Sequence, residues 1–102
     1  MGLFDKFKVG KEHTFEMRIL NTFTINNHGV VVNGVIGKGK ICVGDDVIIN
    51  GKKYNVFMID AVSDPDTKKI TPVDSASEGM NAALHLSTMS IDNIRAGDIA
   101  TA

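Results

Sequence analysis

The stretch Phe23-Thr24-Ile25-Asn26-Asn27-His28-Gly29-Val30-Val31-Val32-Asn33-Gly34-Val35-Ile36 decides the fold. Phe23 and Ile25 fall on alternate positions, the period of a strand with one buried face. Asn26-Asn27-His28-Gly29 gathers residues that tolerate tight-turn backbone angles. Val30, Val31 and Val32 then form a β-branched run suited to a pleated surface. The segment therefore predicts two strands joined by a short turn. Asn33-Gly34 is a hairpin dipeptide, but too little strand separates it from Gly37 for a second hairpin. It reads instead as a bulge or bend within a continuing strand.

Strand signals continue on both sides. Upstream, Thr14 to Ile19 alternates, with Phe15, Met17 and Ile19 facing inward and Glu16 and Arg18 on the wet face. Downstream, Gly37-Lys38-Gly39 reads as a turn before Lys40-Ile41-Cys42-Val43, and Gly44-Asp45-Asp46 as another. Val47-Ile48-Ile49, Asn50-Gly51 and Lys52 to Ile59 form the clearest hairpin, because Asn-Gly accepts the positive φ angles of a type I′ turn. Ser63 to Gly79 holds both prolines and is expected to be irregular, with Ile70 and Val73 in a brief edge strand. Asn81 to Leu86 alternates again, with Ala82, Leu84 and Leu86 in and His85 out. Ser90 to Gly97 predicts one short helical turn, N-capped by Ser90 and stopped by Gly97, and Asp98-Ile99-Ala100 a closing strand. No long helical period occurs. Short strands and frequent turns predict a closed β-barrel or a small sandwich.

Composition narrows the function classes. The chain has 102 residues, 43% of them hydrophobic and 23% charged, which excludes a wholly disordered chain, a collagen-like repeat and a coiled coil. That length holds one domain, not a nucleotide-binding α/β domain with a second domain beside it. Eleven Lys and Arg against 12 Asp and Glu leave a net charge of −1, with no global basic excess to announce nucleic-acid binding. Cys42, the single cysteine, lies in an apolar run and reads as a packed thiol. At the N-terminus, Lys6 stands where a myristoylation motif takes Ser or Thr, and no apolar run there is long enough for a signal peptide. Residues 1–11 are expected to be a tail, in which Leu3, Phe4 and Phe7 could share one face of a helical turn. Residues 12–102 are expected to form the domain, in a cytoplasmic protein.

The catalytic and ligand-binding patterns fall short. Gly34 to Lys40 nearly matches a phosphate-binding loop, but Ile41 supplies no hydroxyl and a strand, not a helix, is expected to follow. Asp64-Pro65-Asp66 lacks the glycine and distal glutamate of a calcium loop. His13, His28 and His85 are scattered without a second ligand at metal spacing. No nucleophile-elbow motif frames a serine or cysteine. No catalytic residue, cofactor or metal is assigned.

Phe23 to Ile36 resembles the second-domain barrel of elongation factor Tu and related translational GTPases, whose pattern is close to F-x-I-x-G-x-G-T-V-V-x-G-x-V. Gly39-Lys40-Ile41-Cys42-Val43-Gly44-Asp45-Asp46-Val47 is similar to that family's G-x-I-x-V-G-D-x-V. Glu78 to Leu86 looks like its A-G-D-N-V-G-L-x-L, and Ser90 to Ala100 like its K-x-D-I-x-R-G-x-V-L. The resemblance implies a six-stranded antiparallel Greek-key barrel without the GTPase domain, so no GTPase activity is expected. In that family the barrel packs on the GTPase domain, touches ribosomal RNA and, in elongation factor Tu, helps hold the aminoacylated end of tRNA. This chain departs from the pattern there. Leu20 and Asn21 replace acidic residues, Asn27-His28 replaces Gly-Arg, Asn33 replaces a threonine, and Ile59-Asp60-Ala61-Val62 replaces a segment ending in Met-Phe and a basic pair. These departures weigh against aminoacyl-tRNA binding.

Two function classes follow. The first is a stand-alone, non-catalytic interaction module for a protein or RNA partner, such as the ribosome or a separately encoded GTPase. Its candidate surface is Lys38, Lys40, Lys52 and Lys53 with Tyr54 as a stacking ring, joined by Lys68 and Lys69 if the lysines converge. Taken singly, each reads as a solvated lysine that keeps a strand edge from aggregating. The second class is a small-ligand binder or enzyme that reuses the barrel, with Asn26, Asn27, His28 and Asn33 lining a polar pocket. Asn and His in a glycine turn also serve the backbone alone.

Overall fold

The computed structural model describes residues 14–25, 29–64, 69–88 and 94–102. Their strands are β1 (Glu16–Ile25), β2 (Gly29–Lys38), β3 (Lys40–Cys42), β4 (Asp46–Ile49), β5 (Lys52–Asp64), β6 (Lys69–Val73), β7 (Ser75–Ser77), β8 (Asn81–Leu86) and β9 (Ile99–Thr101). Six of them pair in the order β4-β9-β1-β2-β8-β5, and β5 pairs back to β4, closing an antiparallel barrel. Closure removes the sheet edges that an open sheet of this size would expose. The order is non-sequential: β8 lies between β2 and β5, and β9 between β1 and β4. β6 hangs on β5 outside the ring, and β3 pairs with β7 as a separate ribbon.

Local chemistry explains the elements. The β4–β5 hairpin turns at Asn50 (φ 53°) and Gly51 (φ 81°), the two positive angles that a type I′ turn needs. Phe15, Met17 and Ile19 point inward as their alternation predicts, each fully buried. They pack with Val30, Val32 and Ile36 of β2, Ile49 of β4, Val56 and Ile59 of β5, and Leu84 and Leu86 of β8. Each large aliphatic side chain so buried stabilises the fold by about 1.5–3 kcal/mol. Among the described residues no polar or charged side chain is buried in this core.

The structure differs from the sequence reading at Gly37-Lys38, which continue β2 rather than turn, at Ser63-Asp64, which continue β5, and in three further places. Ser75–Ser77, expected to be irregular, is a strand, because Ser75, Ala76 and Ser77 pair with Cys42, Ile41 and Lys40. Of the expected helical turn, Ser90 to Asn93 lie outside the described residues, and the rest is no helix. Gly97 instead takes φ 100°, and its N–H donates to the Ile19 carbonyl at 2.7 Å. The Asn33-Gly34 irregularity is real but lies on the neighbouring strand. β2 runs straight through both residues, while the β1–β2 register shifts between Ile19 and Asn21 and leaves Leu20 unmatched. Gly34 permits this approach, since a Cβ there would overlap the Arg18 carbonyl oxygen.

Candidate functional site

The Leu20 bulge sets up the candidate site. Before it, odd-numbered residues of β1 face the core; after it the phase is reversed. Asn21 pairs with Asn33 and Phe23 with Val31 on the outer face, leaving Phe23 46% exposed. A second register shift, between Val56 and Met58 of β5, turns Phe57 and Met58 outward together, while Val56 and Ile59 remain buried. Two bulges thus move apolar side chains from the barrel interior to its outer wall.

On that wall lies a groove with a cavity volume of about 430 Å³. Its floor comes from β2 and β8, through Asn33, Asn81 and Ala83. Leu20, Asn21 and Phe23 of β1 form one side, and Val62 of β5 with Ile70 of β6 the other. Asn33 Nδ2 donates to Asn81 Oδ1 at 2.8 Å and to the Ala82 carbonyl at 3.1 Å, locking the two floor amides together. Beside the groove, His85 Nε2 and Asp60 Oδ2 lie 2.8 Å apart with side chains 12% and 17% exposed. Asp60 pairs with Ala83 and Met58 with His85, so the pair is a diagonal cross-strand tie between β5 and β8. The Phe57 ring meets His85 edge-on, with centroids 6.0 Å apart.

The residues singled out in the sequence scatter. Lys38 and Lys53 share one cross-strand row, but Glu16, Thr101 and Ile48 stand between them. At about 4.8 Å per strand spacing, four spacings put them about 19 Å apart along the wall. Lys40 opens β3 opposite Ser77, Lys52 opens β5 opposite Ile49, and Lys69 opens β6 on the far side of β5. Tyr54 is a core residue at 6% exposure, so its ring offers no stacking surface. Its place between Lys53 and Asn55, two residues before the buried Val56, is the alternation that signals this. Asn26, Asn27, His28 and Lys68 lie outside the described residues. Asn33 is described and sits on the groove floor. Lys40–Cys42 is a strand, so the Gly34–Lys40 segment does not lead into the helix N-terminus that a phosphate loop requires. Asn81 and Ala83 belong to the family-like block Glu78 to Leu86, and Leu20, Asn21 and Val62 to the departures from the family pattern, but nothing local in them or in Ile70 signals a groove, and they meet only through strand pairing.

Among the described residues, no three His, Cys, Asp or Glu side chains are grouped to hold a metal ion. Nor is any helix there long and apolar enough to cross a membrane.

A small antiparallel barrel with this strand order is the second-domain fold of the elongation factor Tu class, as the sequence resemblance implied. Among solved structures the chain is similar to translation elongation factor SelB from Methanococcus maripaludis in its apo form. The TM-score is 0.75 at 24% identity, over 96% of this chain and 20% of that one. It is also similar to a bacterial selenocysteine-specific elongation factor, EF-Sec (TM-score 0.73, 19% identity, 91% of this chain and 15% of that one). A third similar structure is GDP-bound aIF5B from Aeropyrum pernix (TM-score 0.68, 17% identity, 86% of this chain and 16% of that one). The chain spans a fifth or less of the length of each of these factors. No protein-family model matches it.

Proposed function

We propose that this chain is a non-catalytic interaction module of the translation-factor barrel type, which acts in the cytoplasm and holds a macromolecular partner linked to translation. The observation that carries this reading is the outer groove. The interior is filled with apolar side chains, and half-exposed Leu20, Phe23 and Ile70 gather on one stretch of outer wall. Exposed apolar surface grouped in this way is where soluble proteins meet partners. The translation link rests on the similarity of fold to SelB, EF-Sec and aIF5B.

The test is affinity purification of the tagged chain from its native cells at low and high salt, beside an Ile70→Glu variant. Ile70 is 57% exposed, so the substitution leaves folding intact and charges one side of the groove. A partner retained at high salt by the wild type and lost from the variant supports the groove. Capture of RNA alone, falling steeply with salt and with Lys38→Ala/Lys40→Ala, would move the function to the lysines. The isolated chain is expected not to bind GTP in a fluorescence assay; specific affinity would overturn the reading of Gly34 to Lys40.

A further inference from the structure

The chain holds two Asn-Gly pairs, and the fold treats them differently. In this dipeptide the glycine nitrogen can attack the asparagine side-chain carbonyl carbon, because no Cβ on the second residue shields it. Asn33-Gly34 is closed to that reaction. Both residues lie within β2, Asn33 half-buried and Gly34 buried, and both are matched on two sides by β1 and β8. Asn33 Nδ2, the group that would have to leave, donates to Asn81 Oδ1 and to the Ala82 carbonyl. Asn50-Gly51 is open. These residues are the exposed tip of the β4–β5 hairpin, and nothing stands within 4 Å of the place where a Gly51 Cβ would lie. Attack at Asn50 needs an opening confined to the hairpin tip, whereas attack at Asn33 needs β2 to part from both neighbours.

Asn50 also stands at a sensitive place. Its Nδ2 donates to Asp98 Oδ2 at 2.9 Å, and the same oxygen accepts the Arg95 N–H at 2.8 Å. Asp98 leads directly into β9, which closes the ring against β4 through two registered pairs, Ala100 with Ile49 and Thr101 with Ile48. That is the shortest seam of the ring. The Asn50–Asp98 bond reinforces it from the side chains, as does a 3.5 Å contact from Thr101 Oγ1 to the Ile48 carbonyl.

We propose that Asn50 is a site of spontaneous deamidation, and that its conversion loosens the β4–β9 seam. The Gly51 nitrogen forms a bond to Asn50 Cγ, the Cγ–Nδ2 bond breaks, and Nδ2 leaves as ammonia with the proton from the Gly51 nitrogen. Water then opens the five-membered imide at either carbonyl, giving aspartate or isoaspartate; no oxidant or reductant takes part. Either product replaces the amide donor with a carboxylate. In the aspartate that carboxylate stands against Asp98, so a hydrogen bond becomes a like-charge contact. The isoaspartate also inserts a methylene into the main chain, which a two-residue turn with positive φ at both positions does not accommodate.

The test incubates the full chain in mildly alkaline buffer at physiological temperature beside a synthetic peptide of residues 47–54. Both are followed by peptide mass mapping and by isoaspartyl methyltransferase labelling. Conversion is expected at Asn50 at a rate about tenfold or more above that at Asn33. The converted protein, separated by its extra negative charge, should unfold about 4 °C or more below the fresh protein. Its amides at Ile48, Ile49, Ala100 and Thr101 should exchange faster, with β2 and β8 unchanged. Asn50→Asp should lose stability in the same way, and Asn50→Asp/Asp98→Asn should regain it. The second change keeps an oxygen for the Arg95 N–H and offers an NH₂ to the new carboxylate. Conversion at Asn33 first, or an intact chain after the peptide has converted, would overturn the site. Converted protein as stable as fresh protein, or a double variant no better than Asn50→Asp, would overturn its effect on the seam.

Discussion

Phe15, the residue just before β1, and Phe23 within it would share one face by sequence, since both belong to the odd-numbered alternation. In the barrel one is fully buried and the other is 46% exposed. The difference comes from the single unmatched residue between Ile19 and Asn21, where Leu20 has no partner and the pleat changes phase. The first half of the strand builds the core, and the second half builds a side of the groove. A bulge thus turns an apolar alternation that would serve the core out onto the outer wall.

Four substitutions test that contrast. Phe15→Ala empties a fully buried site and should cost about 3–5 kcal/mol in urea unfolding. A loss as small as that of an exposed residue would remove Phe15 from the core. Gly34→Ala forces a methyl against the Arg18 carbonyl oxygen across the β1–β2 pair. It should cost about 2–3 kcal/mol and disturb amide shifts on both sides of Leu20. If it is tolerated, the bulge does not depend on that glycine. Asn33→Ala deprives Asn81 Oδ1 and the Ala82 carbonyl of their donor; about 1–2 kcal/mol should be lost, with Phe15 and Met17 still buried by near-ultraviolet and NMR criteria. Phe23→Ala should change stability by no more than about 0.5 kcal/mol, yet weaken capture of the partner proposed for the groove. A large loss of stability from Phe23→Ala would show that it is core after all and erase the contrast.

Much of the barrel is legible in the residue order. Asn50-Gly51 announces its hairpin because both residues accept positive φ. Ala82, Leu84 and Leu86 announce their buried face, and Ile70 and Val73 an edge strand that does hang on β5 alone. Ser75–Ser77 is not legible, since three small residues without a hydrophobic period become a strand only when β3 lies alongside. The site is harder still. Its lining comes from five strands, and Asn33 and Asn81 are 48 residues apart in the chain although their amides touch. Lys38, Lys40, Lys52 and Lys53 are conspicuous because they are adjacent in sequence, but adjacency along a strand pair does not bring side chains to one spot on a curved wall.

Local chemistry by itself determined where strands run and where the chain turns. Alternation, β-branching and turn residues act over a few neighbours and need no distant partner. Only the tertiary structure decided which way each alternation faces. The phase of β1 beyond Leu20 depends on how closely β2 can approach at Gly34, and that is a contact between strands rather than a property of either. The groove exists because β2 and β8 pair side by side between β1 and β5, which sets that reversed phase on the same outer wall as Asn81, Ala83 and Val62.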